Sequence, residues 1–147
     1  MHMASSIRKK GWLTKPQLDA VVRWKSPRNI GRAAANPEVF LKEVSGFALA
    51  STDERARISS LTLLDGVQWP TASVILHLFH REPYPILDFR ALWSISTEVP
   101  SQYSFDFWQA YTDFCRKTAG EAGMTMRNLD RALWQYSKDN QAGHSAV

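Results

Sequence analysis

A short run, Leu64-Asp65-Gly66-Val67-Gln68-Trp69-Pro70-Thr71-Ala72, combines a glycine turn with a proline-containing helix start. Such a turn exposes successive backbone N–H groups beside the positive end of a helix dipole, where they can bind a phosphate without reading base sequence. Gly66 permits the sharp turn, and Val67 is expected to anchor it in the core. A carboxylate, Asp88, lies 17 positions after Thr71.

Asp88 has the chemistry needed for hydrolysis of a glycosidic bond. A carboxylate held close to the sugar stabilises the positive charge that develops there, and it can orient or deprotonate a water molecule. The residues that follow, Phe89-Arg90-Ala91-Leu92-Trp93, predict a helix. Aspartate is a common helix N-cap, so capping is the alternative role of Asp88, and one side chain can do both.

The hairpin and its distance to Asp88 together resemble the helix-hairpin-helix DNA glycosylase superfamily, the relatives of endonuclease III. The family hairpin reads approximately L-P-G-V-G-x-x-T-A, and the family's catalytic aspartate lies 17 residues beyond the hairpin threonine, as Asp88 does here. The resemblance is specific over residues 54–93. It implies a base-excision repair enzyme in which Asp88 is catalytic, with double-stranded DNA as the partner. The implied phosphate-binding residues are Gly66, Val67, Gln68 and Thr71.

The sequence departs from the family pattern at several places. Gln68 replaces the second hairpin glycine, which would strain the backbone if that position needed a positive φ. Pro70 stands where bifunctional members carry the lysine that forms a Schiff base, so the resemblance implies a monofunctional glycosylase without lyase activity. The segment before the hairpin is shorter than in typical members, which implies an incomplete helical barrel around the base pocket.

The resemblance implies neither an iron–sulfur cluster nor another metal cofactor. The chain has one cysteine, Cys115, whereas the cluster-binding members use four. Cys115 lies on an apolar helical stripe and is expected to be an inert core thiol. A monovalent cation at the hairpin is the one ion that the resemblance leaves as a candidate.

The charge distribution also fits a polyanionic partner. The net charge is +4, but residues 1–32 contain eight basic residues against one acidic residue, a local charge of +7. We expect this region to add salt-dependent affinity for DNA, although a basic tail kept for solubility is the alternative. Trp69 could stack on a base or pack between helices. The weaker predicted DNA contacts are Trp69, Lys25, Arg28 and Arg32.

The hydrophobic periodicity predicts an all-α fold, with about seven helices in a single domain that contains the helix-hairpin-helix and an endonuclease III-like core. The predicted organisation is a basic flexible tail over 1–12, a helical domain over 13–138 and a polar tail over 139–147. Met1 and His2 are interpreted as a cloning remnant. Predicted helix starts lie at Thr14, Asn36, residues 51–54, Pro70, Asp88 and Thr125, and a further apolar stripe runs from Phe107 to Cys115.

The sequence leaves two other functions open. One is a DNA-binding module that has kept the hairpin without catalysis, and the other is a helical protein-interaction domain with no nucleic-acid role. No apolar run is long enough to cross a bilayer, and the single cysteine is typical of a reducing compartment, so a cytoplasmic protein without a membrane partner is expected. The sequence does not indicate the oligomeric state.

Overall fold

The computed structural model describes residues 2–141. Within that range the chain forms nine α-helices and one 3₁₀ helix and contains no strand, which confirms the predicted all-α class. The number of helices exceeds the predicted seven or so, because α1 and α3 carry no helix-start signal of their own in the sequence. No helix in the same range is long and apolar enough to cross a membrane. The helices are α1 (His2–Lys10), α2 (Lys15–Lys25), the 3₁₀ helix (Pro27–Asn29), α3 (Ile30–Ala34), α4 (Glu38–Ala50), α5 (Glu54–Leu61), α6 (Trp69–Phe79), α7 (Phe89–Ser94), α8 (Phe105–Ala122) and α9 (Met126–Asn140).

The chain divides into two compact units where the sequence predicted a single domain. The N-terminal unit ends at Glu82 and contains α1 to α6, and the C-terminal unit begins at Pro83 and contains α7 to α9. The connection between α6 and α7 is short and carries two prolines, without the Gly/Ser-rich composition that marks a flexible linker. The division was therefore not visible in the sequence.

Three of the predicted helix starts are confirmed by their hydrogen bonds. Asp53 accepts a hydrogen bond from the Ala56 N–H (2.8 Å), and Thr125 accepts one from the Asn128 N–H (3.1 Å). The Gln17 side chain accepts a hydrogen bond from the Thr14 N–H (2.8 Å). These bonds satisfy amide donors that a helix leaves without an intrahelical partner at its first turn.

The start predicted at Asn36 is wrong by one residue, because Pro37 is the N-cap of α4. The Asn36 side chain donates hydrogen bonds to the Ala33 and Asp65 carbonyls instead.

Two segments differ from the expectation. Residues 2–10 form α1 where a flexible tail was predicted, because Ile7 is fully buried and the Arg8 guanidinium donates a hydrogen bond to the Leu78 carbonyl (3.2 Å). The connection between α2 and α4 is itself helical. Pro27 begins the 3₁₀ helix, and α3 follows at once with Ala33 buried. At the other end, residues 139–140 still belong to α9, and 142–147 of the predicted polar tail lie outside the described residues.

The N-terminal unit is built around α6. This helix is buried almost all round and contacts α1, α2 and α5, so its position is set by three neighbours. The buried guanidinium of Arg57 connects α5 to the segment that follows α6. It pairs with Glu54 at the start of α5 (2.8 Å) and with Glu82 after α6 (3.0 Å). A buried guanidinium needs such partners, because leaving it unpaired costs several kcal/mol.

The C-terminal unit has its own core. Tyr84 stacks on the fully buried Trp108, with ring centroids 5.7 Å apart. The Tyr111 hydroxyl donates a hydrogen bond to the Ile86 carbonyl (3.0 Å), so the extended segment before α7 is held against α8. Helix α9 packs on both α7 and α8. This packing holds the start of α7, and with it Asp88, in a defined position.

Candidate nucleic-acid interface

The predicted hairpin turn joins α5 to α6. Gly66 has a φ of +77°, the left-handed conformation that glycine adopts without strain. The Val67 N–H then donates to the Leu64 carbonyl (3.2 Å), and the Val67 side chain is buried. The turn therefore has the tight geometry that the sequence predicts for it.

Gly66 also packs directly against the segment that carries α3. A Cβ atom on Gly66 would lie 2.7 Å from the Ala33 nitrogen and 3.0 Å from the Asn29 oxygen, both backbone atoms. Neither atom belongs to a flexible side chain that could turn away. Glycine is thus required at this position for two independent reasons: the φ is positive, and the backbone of another segment lies where a Cβ atom would be.

A buried side chain ties the turn to the end of α3. Asn36 is fully buried, and its Oδ1 accepts a hydrogen bond from the Asp65 N–H (2.9 Å). Its Nδ2 donates to the Asp65 carbonyl (2.9 Å) and to the Ala33 carbonyl (2.8 Å). Each polar atom of the amide group is therefore satisfied inside the unit, as a buried polar group must be. The turn is held in place by Asn36 as well as by its own hydrogen bonds.

The N-terminus of α6 follows the turn and has no side-chain cap. Gln68 is the N-cap residue, and its side chain accepts no capping hydrogen bond. Its φ of −109° and ψ of −177° are extended, so the replacement of the second family glycine introduces no strain here. The first N–H groups of a helix have no intrahelical partner, and those of Trp69 and Thr71 are donors of this kind.

The other predicted residues of the turn differ in exposure. Gln68 is exposed, Trp69 is half-buried and the Thr71 side chain is only 2% exposed. Thr71 would therefore contact a phosphate through its backbone N–H group. Asp65 is exposed in the turn and places a negative charge there, which opposes the binding of an anion.

The structure brings two predicted basic residues to the segment that contacts the turn. Arg28 lies in the 3₁₀ helix and Arg32 in α3, and both are exposed. Each directly precedes one of the residues, Asn29 and Ala33, whose backbone meets Gly66. Lys25 is half-buried at the end of α2.

Trp24 is a candidate that the sequence reasoning missed. It is 60% exposed, directly before Lys25. An exposed indole beside basic residues is a platform on which a base can stack. The signal for Trp24 was its position in α2, because it follows the last buried residue of that helix, Val22, and so lies beyond the helical face that packs in the core.

Asp88 caps α7, which confirms its alternative role. Its Oδ1 accepts a hydrogen bond from the Arg90 N–H (3.2 Å), and the residue is half-buried. Burial and the negative charge of Asp88 raise the pKa of Tyr103 above its usual value. The Tyr103 phenol therefore lies near enough to Asp88 for the two groups to interact electrostatically.

Arg90 is a second residue that the sequence reasoning missed. Its guanidinium lies over the rings of Trp134 (5.0 Å) and Phe89 (5.4 Å), and its Nη1 atom is buried without a hydrogen-bond partner among the described residues. A guanidinium over ring faces is attracted to them by the cation–π interaction, which accounts for the position of Arg90. The sequence signal for Arg90 was its position as the single charged residue in the otherwise apolar run 89–93.

Cys115 has the properties of a core thiol. It is 1% exposed, and burial together with the charge of Asp130 raises its pKa to about 12, despite a hydrogen bond with Tyr111 that acts in the opposite direction. The reactive thiolate is therefore scarce at neutral pH. No group of three or more His, Cys, Asp or Glu side chains comes together in the part of the chain that the structure describes.

Comparison with known proteins returns no match: no family model matches the chain, and no curated protein or solved structure is significantly similar to it.

Proposed function

We propose that the protein binds double-stranded DNA through the turn at residues 64–71 and acts as a monofunctional DNA glycosylase with Asp88 as its carboxylate. The packing of Gly66 against the Asn29–Ala33 backbone is the observation that carries the binding proposal. It brings the backbone segment that carries the exposed Arg28 and Arg32 against the turn before the uncapped N-terminus of α6, and basic side chains together with backbone donors suit a phosphate.

The proposed reaction is hydrolysis of the bond between the sugar C1′ and a damaged base. As this C–N bond breaks, its electron pair leaves with the base, which takes up a proton, and positive charge develops on the sugar. Asp88 stabilises that charge and accepts a proton from the attacking water, whose oxygen forms the new bond to C1′. Asp88 then releases this proton to the solvent, and the departing base takes its proton from the solvent, so atoms and charge balance.

Strand cleavage does not accompany this reaction in the proposal. A lyase step of the family type needs an amine that attacks C1′, and the position for that amine is Pro70, whose nitrogen lies in its ring and in a peptide bond. An abasic-site duplex treated with borohydride should therefore yield no covalent protein–DNA adduct.

A non-catalytic DNA-binding module is the second candidate. It is favoured by the hydrogen bond that Asp88 accepts from the Arg90 N–H, because capping alone accounts for an aspartate at this position. In this candidate the hairpin binds DNA as proposed above, and no base is released.

Base release on a panel of alkylated, oxidised and deaminated duplexes tests the proposal with the wild type and Asp88→Asn. Asparagine caps a helix about as well as aspartate, so the thermal midpoint should change little. The neutral amide cannot stabilise the cationic sugar, so base release should fall by at least about 100-fold. Asp53→Asn, a second N-cap, is the matched control and should keep full activity.

The outcomes separate the two candidates. Equal activity of Asp88→Asn and the wild type would contradict the catalytic role. Salt-sensitive DNA binding without base release on any substrate would favour the non-catalytic module. No binding to duplex DNA at low salt would overturn both.

A further inference from the structure

The C-terminal unit contains an open pocket with a volume of about 470 Å³ that the proposed reaction does not use. Three of its walls are aromatic: Phe89 and Trp93, four residues apart on α7, and Tyr136 on α9. Trp93 is 36% exposed and Tyr136 is 54% exposed, so large apolar surfaces face solvent here. Exposed aromatic rings that gather around a cavity are typical of a binding site.

The geometry of the rings limits what the pocket can hold. The rings of Trp93 and Tyr136 have centroids 5.9 Å apart and are tilted by 34° to each other. They therefore form adjoining walls and not two parallel plates with room for a flat base between them. Rings at an angle present their faces to a rounded group, and the face of each ring carries partial negative charge.

Among the described residues that line the pocket, Glu98 is the one with an acidic side chain, and it is exposed. The Arg90 guanidinium lies outside the lining but over the Phe89 ring, 5.4 Å from its centroid, so Trp93 and Tyr136 are the rings more open to a second cation. A carboxylate beside ring faces favours a cation, and the rings favour one whose charge is covered by carbon. A hydrated sodium ion must give up tightly bound water to reach a ring face, whereas an alkylated ammonium has no such hydration shell to lose.

The backbone that brings Glu98 to the pocket is strained. Two hydrogen bonds close the C-terminal end of α7. The Ser96 N–H donates to the Trp93 carbonyl (2.9 Å), and the Thr97 N–H donates to the Leu92 carbonyl (2.9 Å). This arrangement places Ser96 at a φ of +60°, where glycine is usual, yet the chain has a serine whose side chain lines the pocket. Left-handed strain at a non-glycine residue often accompanies a functional site.

We propose that this pocket of the C-terminal unit binds a quaternary ammonium group, held by the faces of Trp93 and Tyr136 and by the charge of Glu98, with Phe89 as a third wall. The site lies within residues 89–141 and does not depend on DNA binding or on glycosidic hydrolysis. The trimethylammonium group could come from a small molecule such as choline or from a trimethylated lysine side chain, and both offer the same chemistry to the rings.

Titration with choline and with its uncharged isostere 3,3-dimethylbutan-1-ol tests the proposal, by calorimetry and by the chemical shifts of the indole N–H groups. The two ligands have the same shape, so they differ only in the charge that the rings and Glu98 recognise. We expect choline to bind about tenfold more tightly than the isostere and to shift the Trp93 indole signal. Equal affinity for the two ligands, or no saturable response to choline, would overturn the proposal.

Two variants sharpen the test. Glu98→Gln keeps the shape of an exposed side chain and should weaken choline binding about threefold or more. Glu121→Gln on α8, exposed and outside the pocket, is the control and should bind as the wild type does. Equal loss in the two variants would show a general charge effect and would contradict the assigned site. A peptide with trimethyl-lysine, compared with the same unmethylated peptide, distinguishes the two sources of the ligand.

Discussion

The two units of this chain differ in charge and in the kind of group they offer to a partner. The N-terminal unit contains twelve basic and seven acidic residues, a net charge of +5, whereas the C-terminal unit contains six basic and seven acidic residues, a net charge of −1. The predicted phosphate-binding turn belongs to the first unit, and Asp88 belongs to the second. Attraction to a polyanion is thus expected mainly from the first unit.

The units also differ in how a candidate site is held. In the N-terminal unit the donors are backbone N–H groups, and their position depends on the contact of Gly66 with α3 and on the buried amide of Asn36. In the C-terminal unit the candidate groups are side chains, namely Asp88 and the aromatic pocket with Glu98. A substitution should therefore act through the fold in the first unit and through local chemistry in the second.

The largest effect is expected for Gly66→Ala. The new Cβ would lie 2.7 Å from the Ala33 nitrogen at a φ of +77°, so the overlap and the left-handed conformation together should lower the free energy of unfolding by about 3 kcal/mol. Chemical denaturation followed by circular dichroism measures the change. Gly31→Ala on α3 is the control, because its Cβ would meet nothing within 4 Å, and it should be neutral or stabilising by up to about 1 kcal/mol. Similar losses in both variants would contradict the close approach at Gly66.

A smaller effect is expected when charge is removed from one unit at a time. Under the proposed DNA binding, Arg28→Ala with Arg32→Ala should weaken duplex affinity about tenfold or more and reduce the salt dependence by about two counterions, because the proposal assigns one phosphate contact to each arginine. The matched pair Arg127→Ala with Arg131→Ala has the same spacing, and its exposed residues lie on α9 of the C-terminal unit. It should leave affinity close to that of the wild type. Equal weakening by the two pairs would show that binding does not depend on the segment at the turn.

The smallest expected effect is a pH dependence that originates in the C-terminal unit. Burial raises the pKa of Cys115 from 9.0 to about 12, so above pH 9 the unfolded chain releases this proton while the folded chain keeps it. Stability should therefore fall as pH rises, and this thiol should contribute about 1 kcal/mol of that loss between pH 9 and 10. Urea denaturation of the wild type and Cys115→Ala over this range measures the contribution, because the variant should lose the corresponding part of the slope. Identical slopes would contradict the assignment.

Much of the secondary structure could be predicted because its signals lie within a few residues of each other. The starts of α2, α5, α7 and α9 follow from local capping patterns, and Gly123 ends α8 with a φ of +66°. Helix α1 could not be found in this way. Ile7 is the large buried side chain of residues 4–10, and it lies among basic and small residues, so this stretch has no apolar stripe of its own. It is held by contacts with α6, more than 60 residues away in the chain.

The same distinction between local signals and contacts of distant residues applies to the candidate sites. The types and spacing of Gly66, Thr71 and Asp88 are properties of the sequence alone, and they predicted the tight turn and the helix cap together with a proposed role for each. Only the tertiary structure decided that Gly66 meets the backbone of Ala33, that Asn36 holds Asp65 across 29 residues, and that the rings of α7 and α9 share a pocket with Glu98. Turns and caps depend on neighbouring dihedral angles and hydrogen bonds, which local residues determine. Contacts between distant residues depend on how whole helices pack, and no short motif carries that information.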